Sequence, residues 1–234
     1  MIKGFEASIR LKHDSKDTFC KARRIPMALQ NEVNAELDNL EARGIIEKCT
    51  SVGLENVSPV VWVRKKNGRL RMCPDYKVQP NKKIYVEDYP LPTPNYVFSK
   101  LAGAEYFGSI DLKDAYWQIS IDSESQKLCA INTSKGLFKV KRLMMGLRNS
   151  AAIFQDVMEN VVLKGLSNVV AYQDDLIIFA KTECSLRKHF NTVMERLKSK
   201  GVTVNIDKTV TCTKQIEFLG RIVTSEGIHL NTEH

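Results

Sequence analysis

Two adjacent aspartates, Asp174 and Asp175, stand between two apolar runs, Val169–Ala171 before Tyr172-Gln173-Asp174-Asp175 and Leu176–Ala180 after it. Short apolar runs on either side of a polar group read as the arms of a hairpin, apolar enough to be buried. Two unit charges ~4 Å apart repel by about 4 kcal/mol at an effective dielectric near 20, so the arrangement calls for a proton or a cation. Magnesium is the natural cation, because it takes oxygen ligands and is held by one or two carboxylates together with substrate phosphates. Taken alone, the Asp-Asp pair also reads as an ordinary polar turn.

Asp111 supplies a third carboxylate. It closes the run Tyr106-Phe107-Gly108-Ser109-Ile110, just as Asp175 opens the run behind it, so pairing of the two runs as strands would bring the carboxylates together. The plainer alternative is a turn residue at a strand end.

The prolines divide the chain. Five of seven lie between Pro74 and Pro94 and none follows, which marks that stretch as irregular and as an internal seam. Ahead of it, Leu29, Val33, Leu37 and Leu40 follow Pro26 at helical spacing, with Gly44 placed to end the helix. Val60–Val63 and Arg69–Met72 flank Asn67-Gly68 and read as a hairpin closed by a two-residue type I′ turn. Behind the seam, Tyr106–Ile110 and Trp117–Ile121 read as extended segments. Phe154, Val157, Met158, Val161 and Val162 read as a helix capped by Asn149 or Ser150. A last helix carries Leu186, Phe190, Val193 and Leu197 and stops at Gly201, after which Val202–Ile206 and Ile216–Val223 read as strands. The order implies an α+β fold, an antiparallel sheet with helices on one face.

A balance of 35 Lys and Arg against 27 Asp and Glu leaves a formal charge of +8, which suits an anionic partner. At 43% apolar and 26% charged residues, the composition excludes a disordered tail, a collagen or a coiled-coil rod. No window approaches about 18 uninterrupted apolar residues and residues 1–25 carry charges throughout, so neither a membrane span nor a secretory leader is expected. The six cysteines are too far apart for a Cys-x-x-Cys pair, and His13, His189, His229 and His234 complete no ligand set, so a zinc knuckle is excluded and they read as reduced thiols and ordinary histidines. The segment Arg64-Lys65-Lys66-Asn67-Gly68-Arg69-Leu70-Arg71 concentrates cations at one hairpin tip, which by itself reads as a solvated edge.

Read together, these segments resemble reverse transcriptases. Asp111-Leu112-Lys113-Asp114-Ala115-Tyr116, Gly146 to Gln155 and Tyr172-Gln173-Asp174-Asp175 stand in the order and spacing of that family. Ser58-Pro59-Val60-Val61, Lys66-Asn67-Gly68, Asp75-Tyr76-Lys77, Tyr89-Pro90-Leu91-Pro92 and Phe218-Leu219-Gly220 are further matches. The chain is similar to the polymerase segment of a gypsy-type long-terminal-repeat retrotransposon, over residues 3–230. The resemblance implies a right-hand polymerase with fingers and palm, the palm an antiparallel sheet backed by helices on one face. It implies an RNA-directed DNA polymerase, a nucleotidyltransferase that adds deoxynucleotides to a primer 3′-end on an RNA or DNA template.

It also implies roles. Asp111, Asp174 and Asp175 would hold two Mg2+ ions, with Mn2+ as a substitute, one at the primer hydroxyl and one at the triphosphate. Lys208 would protonate the departing pyrophosphate, its alternative being a plain surface lysine. Nucleotide binding would fall to Lys65, Arg71, the backbone of Leu112, Lys113, Asp114, Ala115 and Tyr116, and to Met145 and Gly146. Tyr116 would gate against the ribose 2′-hydroxyl, although Tyr116 and Trp117 also read as half-buried aromatics. Template and primer would meet Asp75, Tyr76, Gln155, Tyr172, Gln173 and the primer grip Phe218, Leu219 and Gly220.

Several positions depart from the family pattern: Pro74, Met144-Met145, Ala151 and Gln173. Met145 would place a flexible thioether where an aromatic or Gln usually packs. The expected layout is an N-terminal extension at 1–25 and fingers at 26–103, including the basic hairpin 60–72 and the seam 74–94. The palm follows at 104–224, interleaved at about 122–150 with part of the fingers and nucleotide pocket, and then a truncated tail at 225–234. No thumb or ribonuclease H is expected within the chain, and the remaining Pol modules (protease, ribonuclease H, integrase) are expected in a full-length element. The expected location is the cytoplasm, or for a full element a virus-like particle or the nucleus. Two other readings stay open: an inactive relic that only binds nucleic acid or protein, and an RNA-templated RNA polymerase, against which Tyr116 speaks.

Overall fold

Residues 1–12, 16–65, 67–78, 80–86 and 89–230 are described by the structure, a computed structural model. His13, Lys66, His234, part of the expected tail (231–234) and residues 79, 87 and 88 of the seam lie outside the described residues. In chain order the elements are β1 (Glu6–Ala7), β2 (Thr18–Phe19), α1 (Met27–Ala42), β3 (Ile46–Lys48), β4 (Asn56–Arg64), β5 (Leu70–Pro74), α2 (Pro94–Lys100) and β6 (Tyr106–Leu112). Then come β7 (Ser120–Ile121), α3 (Ser123–Leu128), β8 (Ala130–Thr133), β9 (Gly136–Val140), α4 (Ser150–Val157), β10 (Val169–Tyr172) and β11 (Asp175–Ala180). The chain continues through α5 (Glu183–Ser199), β12 (Val204–Thr213), β13 (Ile216–Phe218), β14 (Arg221–Thr224) and β15 (Gly227–Leu230). They fall into two compact units, one made of Met1–Phe5, Asp88–Ala115 and Ala151–His234, the other of Glu6–Glu87 and Tyr116–Ser150. Residues 89–103, expected with the fingers segment, belong to the first of these, where Val97 and Leu101 of the α2 segment pack with Phe107, Ile177 and Phe218.

The first unit is built on an antiparallel sheet in the order β10-β11-β6-β12. Helix α5 packs on β6, β11 and β12 with Leu186, Phe190, Val193 and Leu197, whose 4-3-4 spacing puts all four on one buried stripe. Thr182 caps it by accepting from the Ser185 amide, and Gly201 at φ +73° lets the chain turn away at its end. Gly108 is required in β6, since a Cβ there would lie 3.0 Å from the carbonyl oxygens of Val210 and Thr211 and 3.3 Å from Phe190. Strands β13, β14 and β15 form an antiparallel meander. The single strand expected over Ile216–Val223 is therefore two. Leu219 and Gly220 have φ +51° and +70° between the paired Phe218 and Arg221, the positive φ at both centres that a type I′ turn requires.

The second unit has the sheet order β2-β4-β8-β9-β3, with β5 paired to the outer half of β4. Helix α1 buries Val33, Leu37 and Leu40, as the spacing implies, and Gly44 follows it at φ +65°. Two expectations differ. Lys65 N–H donates to Arg69 O and Gly68 N–H to Lys65 O, so the hairpin connection is longer than a two-residue I′ turn, with Gly68 at φ +81°. Trp117 lies in a 3-10 turn, Ala115–Gln118, rather than in an extended segment, its indole N–H 3.1 Å from Met144 Sδ and the Arg43 guanidinium 5.3 Å from its ring.

Neither expected residue caps α4. Among the described residues, Asn149 Nδ2 donates to Tyr85 O while its Oδ1 accepts no hydrogen bond, and Ser150 Oγ donates to Met144 O. The helix passes at Met158–Val162 into a wide π-turn.

Candidate active site

Strands β6 and β11 pair so that Asp175 lies opposite Asp111, Leu176 opposite Ile110 and Ile177 opposite Ser109. Direct cross-strand partners project to the same face, with Cβ atoms about 4.5–5.5 Å apart. On the other side of Asp111 stands Asn205 of β12. Carboxylate, carboxylate and amide thus form a row across three strands. Only the pairing register reveals Asn205, and no motif in the sequence points to it.

Asp174 occupies the β10–β11 turn. Tyr172 pairs with Asp175, which leaves Gln173-Asp174 as the two-residue loop, and Gln173 takes φ +52°. Positive φ at the first centre alone is the type II′ pattern, where glycine is usual, and a larger residue costs roughly 1–2 kcal/mol. The Asp174 carbonyl accepts the Leu112 amide at 2.8 Å, which ties the turn to the end of β6. Its Oδ1 is shielded from solvent.

The electrostatics follow from this geometry. Burial, then the Asp111 charge, then the Asp174 charge push the Asp175 carboxyl above its ordinary value, against the pull of Lys208. Lys208 Nζ stands 3.5 Å from Asp111 Oδ2 on a largely exposed side chain. Asp111, Asp175, Lys208, Glu217, Phe218 and Leu219 all line one cleft of about 390 Å3.

Two facing carboxylates under mutual repulsion fit a hard divalent cation, which needs only one or two carboxylates when phosphates and waters fill the remaining positions. Among the described residues, no three acidic, histidine or cysteine side chains are gathered as a closed ligand set. The structure pairs Asp111 with Asp175, and Asp174 stands in the adjoining turn.

Other expected residues are placed as follows. The Leu112 and Lys113 amides already donate, to Asp174 O and Thr203 O, so their expected phosphate contact is not open to them; Asp114 turns the chain at φ +49° ahead of Ala115 and the half-buried Tyr116. Tyr76 is 1% exposed and donates to Cys129 O at 3.0 Å, with burial pushing its phenol well up. A template contact through that side chain is excluded by its packing. Gln155 is likewise buried, its Nε2 donating to Ala171 O at 3.0 Å and Glu159 Oε1 at 2.6 Å, so it braces β10 instead of facing a template. Asp75 is ion-paired with Arg23. Gln173 is exposed at the turn and Tyr172 half-buried. Phe218 sits in the core, leaving Leu219-Gly220 as the accessible part of the expected primer grip.

In the second unit, Lys65 closes the basic hairpin and Arg71 lies on β5, its Nη1 3.8 Å from Met145 Sδ. Gly146 at φ +90° approaches Pro74 O, and its carbonyl accepts Asn81 Nδ2, while Asn81 Oδ1 accepts the Arg148 amide. Asn81 was not among the residues singled out by the sequence, since a lone loop asparagine carries no signal.

The family model for reverse transcriptase (RNA-dependent DNA polymerase) matches residues 63–223. The chain is 37% identical over 217 residues to the uncharacterized protein K02A2.6 of Caenorhabditis elegans, covering 92% of this chain and 17% of that protein. It is 32% identical over 216 residues to the retrovirus-related Pol polyprotein from transposon opus of Drosophila melanogaster, covering 90% of this chain and 21% of the polyprotein. The foamy viral protease-reverse transcriptase in complex with RNA/DNA hybrid superposes with a TM-score of 0.86 at 24% identity, over 99% of this chain and 31% of that one. The chain spans about a fifth of the length of these curated relatives. It shares the fold of the foamy viral reverse transcriptase, and with most of its length matched by the family model, it belongs to the reverse transcriptase family.

Proposed function

We propose that the chain is the fingers-and-palm segment of an RNA-directed DNA polymerase, adding deoxynucleotides to a primer 3′-end within a retrotransposon Pol polyprotein. The observation that carries this is the register of β6 on β11, which sets Asp111 against Asp175. The unit containing that sheet is the palm, and the unit with the basic hairpin is the fingers. Asp111 and Asp175, with Asp174 beside them, are the groups that would hold magnesium, two ions in all, with manganese a substitute. Bound there, the ions would lower the pKa of the primer hydroxyl and neutralise charge on the triphosphate.

The chain's own groups do the rest. Lys208, beside Asp111, would give a proton to the departing pyrophosphate. Lys65 and Arg71 are assigned to triphosphate oxygens, together with the Asp114–Tyr116 backbone rather than the committed amides of Leu112 and Lys113. Met145 and Gly146 would shape the nucleotide pocket, and Tyr116 would stand against a ribose 2′-hydroxyl. Tyr172, Gln173 and Leu219-Gly220 would meet template and primer. The +8 charge supports binding of an RNA or DNA template-primer that weakens steeply with salt. The foamy viral relative was captured with RNA/DNA hybrid, which supports the same class of partner.

Primer extension on an RNA template tests the reading. The expected result is template-directed incorporation of deoxynucleotides over ribonucleotides, with Tyr116→Ala relaxing that preference. Salt-sensitive nucleic-acid binding without extension in either metal would reject it, and extension with ribonucleotides only would reassign the chain to RNA synthesis.

A further inference from the structure

We propose that Glu159 is a positioning residue, linking Tyr89 through Gln155 to the strand arm that carries the Asp174-Asp175 turn. The inference rests on the polymerase reading above. Among the described residues, strand β10 is the edge of its sheet: it pairs with β11 on one side and with no strand on the other. An edge strand frays more readily than an interior one, because half of its backbone groups lack ladder partners. This edge ends at Tyr172 and is followed by Gln173 of the turn, whose positive φ persists only where the surroundings hold it.

The surroundings that hold it form a continuous chain of hydrogen bonds. Gln155, 2% exposed on α4, spends both amide hydrogens, one on Ala171 O at 3.0 Å and one on Glu159 Oε1 at 2.6 Å. The other oxygen of Glu159 accepts the Tyr89 hydroxyl. Asn160 Nδ2 lies 3.2 Å from the same hydroxyl and 2.7 Å from Asp156 Oδ1. Glu159 and Asn160 stand at the start of the π-turn Met158–Val162, the element type that recurs at functional positions inside helices. Pro90 and Pro92 restrict the backbone that follows Tyr89. Burial and the bond to Glu159 push the Tyr89 phenol to about 12, so it remains a donor at working pH. Glu159 therefore orients the carboxamide of Gln155, and Gln155 pins the carbonyl next to the aspartate turn.

The test combines hydrogen–deuterium exchange of peptides covering 169–176 with the kinetics of primer extension. Gln155→Leu and Glu159→Ala are expected to speed exchange in the hairpin about 10-fold. They should also lower kcat about 10-fold at unchanged KM for deoxynucleotide, since the aspartates are displaced and the nucleotide contacts are not. Glu159→Gln, which keeps one acceptor oxygen, should recover part of the loss. Tyr89→Phe combined with Gln155→Leu should be no worse than Gln155→Leu alone, because Tyr89 acts only through the chain. Unchanged hairpin exchange, or effects of Tyr89→Phe and Gln155→Leu that simply add, would overturn the proposal. Should Gln155→Leu fail to fold, Tyr89→Phe at the far end of the chain carries the same readouts. Coupled exchange in a wild-type chain that shows no primer extension would sink the polymerase reading and leave the positioning chain standing.

Discussion

Asp111 and Asp175 are register partners on neighbouring antiparallel strands, so two carboxylates share one face of the sheet. Burial and the charges of Asp111 and Asp174 raise the Asp175 carboxyl above its unfolded value. The folded chain then binds that proton more tightly than the unfolded one, and stability falls as pH rises from the unfolded value through the raised one. Without metal, Asp175→Asn should raise Tm at pH 8. The group is partly exposed, so a relief of about 1 kcal/mol or less is expected, equivalent to roughly 2–4 °C at most. The gain should vanish below about pH 4, where the carboxyl is protonated in both states. Melting curves in EDTA at the two pH values measure it, and an unchanged Tm at pH 8 would count against the electrostatic account.

Lys208 stands 3.5 Å from Asp111 Oδ2. On the proposed role of Lys208 as the acid toward pyrophosphate, Lys208→Gln should lower the single-turnover rate about 100-fold while primer-template affinity changes little. A loss below about twofold would return it to the class of surface lysines.

Gly108 is where β12 and α5 close on β6. A methyl group 3.0 Å from two backbone carbonyls forces the strands apart, so Gly108→Ala should destabilise the chain by about 1–3 kcal/mol, read from urea unfolding. Wild-type stability would mean the strands yield more easily than their bulged pairing implies.

Tyr76 separates a buried brace from a nucleic-acid contact. Tyr76→Phe leaves the Cys129 carbonyl without that donor and should cost about 1–2 kcal/mol of stability. Its dissociation constant for primer-template should stay at the wild-type value, and a large change in affinity with no change in stability would reverse the assignment.

Much of this site was legible because it depends on local chemistry. The apolar stripes of α1 and α5 have helical spacing, and the aspartates interrupt apolar arms. What escaped the sequence depends on register and burial. Asn67-Gly68 has the composition of a type I′ turn, yet the ladder there closes at Lys65 and Arg69, whereas the register of β13 on β14 puts Leu219-Gly220 into that geometry despite the cost of a left-handed leucine. Tyr76 and Gln155 match motif positions, but their side chains are committed inward to Cys129 O and Ala171 O. Asn205, Asn81 and the Tyr89–Glu159–Gln155 chain depend on contacts between segments far apart in sequence.

The most direct test of the central claim is single-nucleotide primer extension titrated with Mg2+ for the wild-type chain, Asp111→Asn and Asp175→Asn, each first shown to be folded by circular dichroism. Metal-dependent incorporation by the wild type, with a loss of about 1,000-fold in both variants, is the expected result. Incorporation by either variant at the wild-type rate and the same Mg2+ dependence would contradict it.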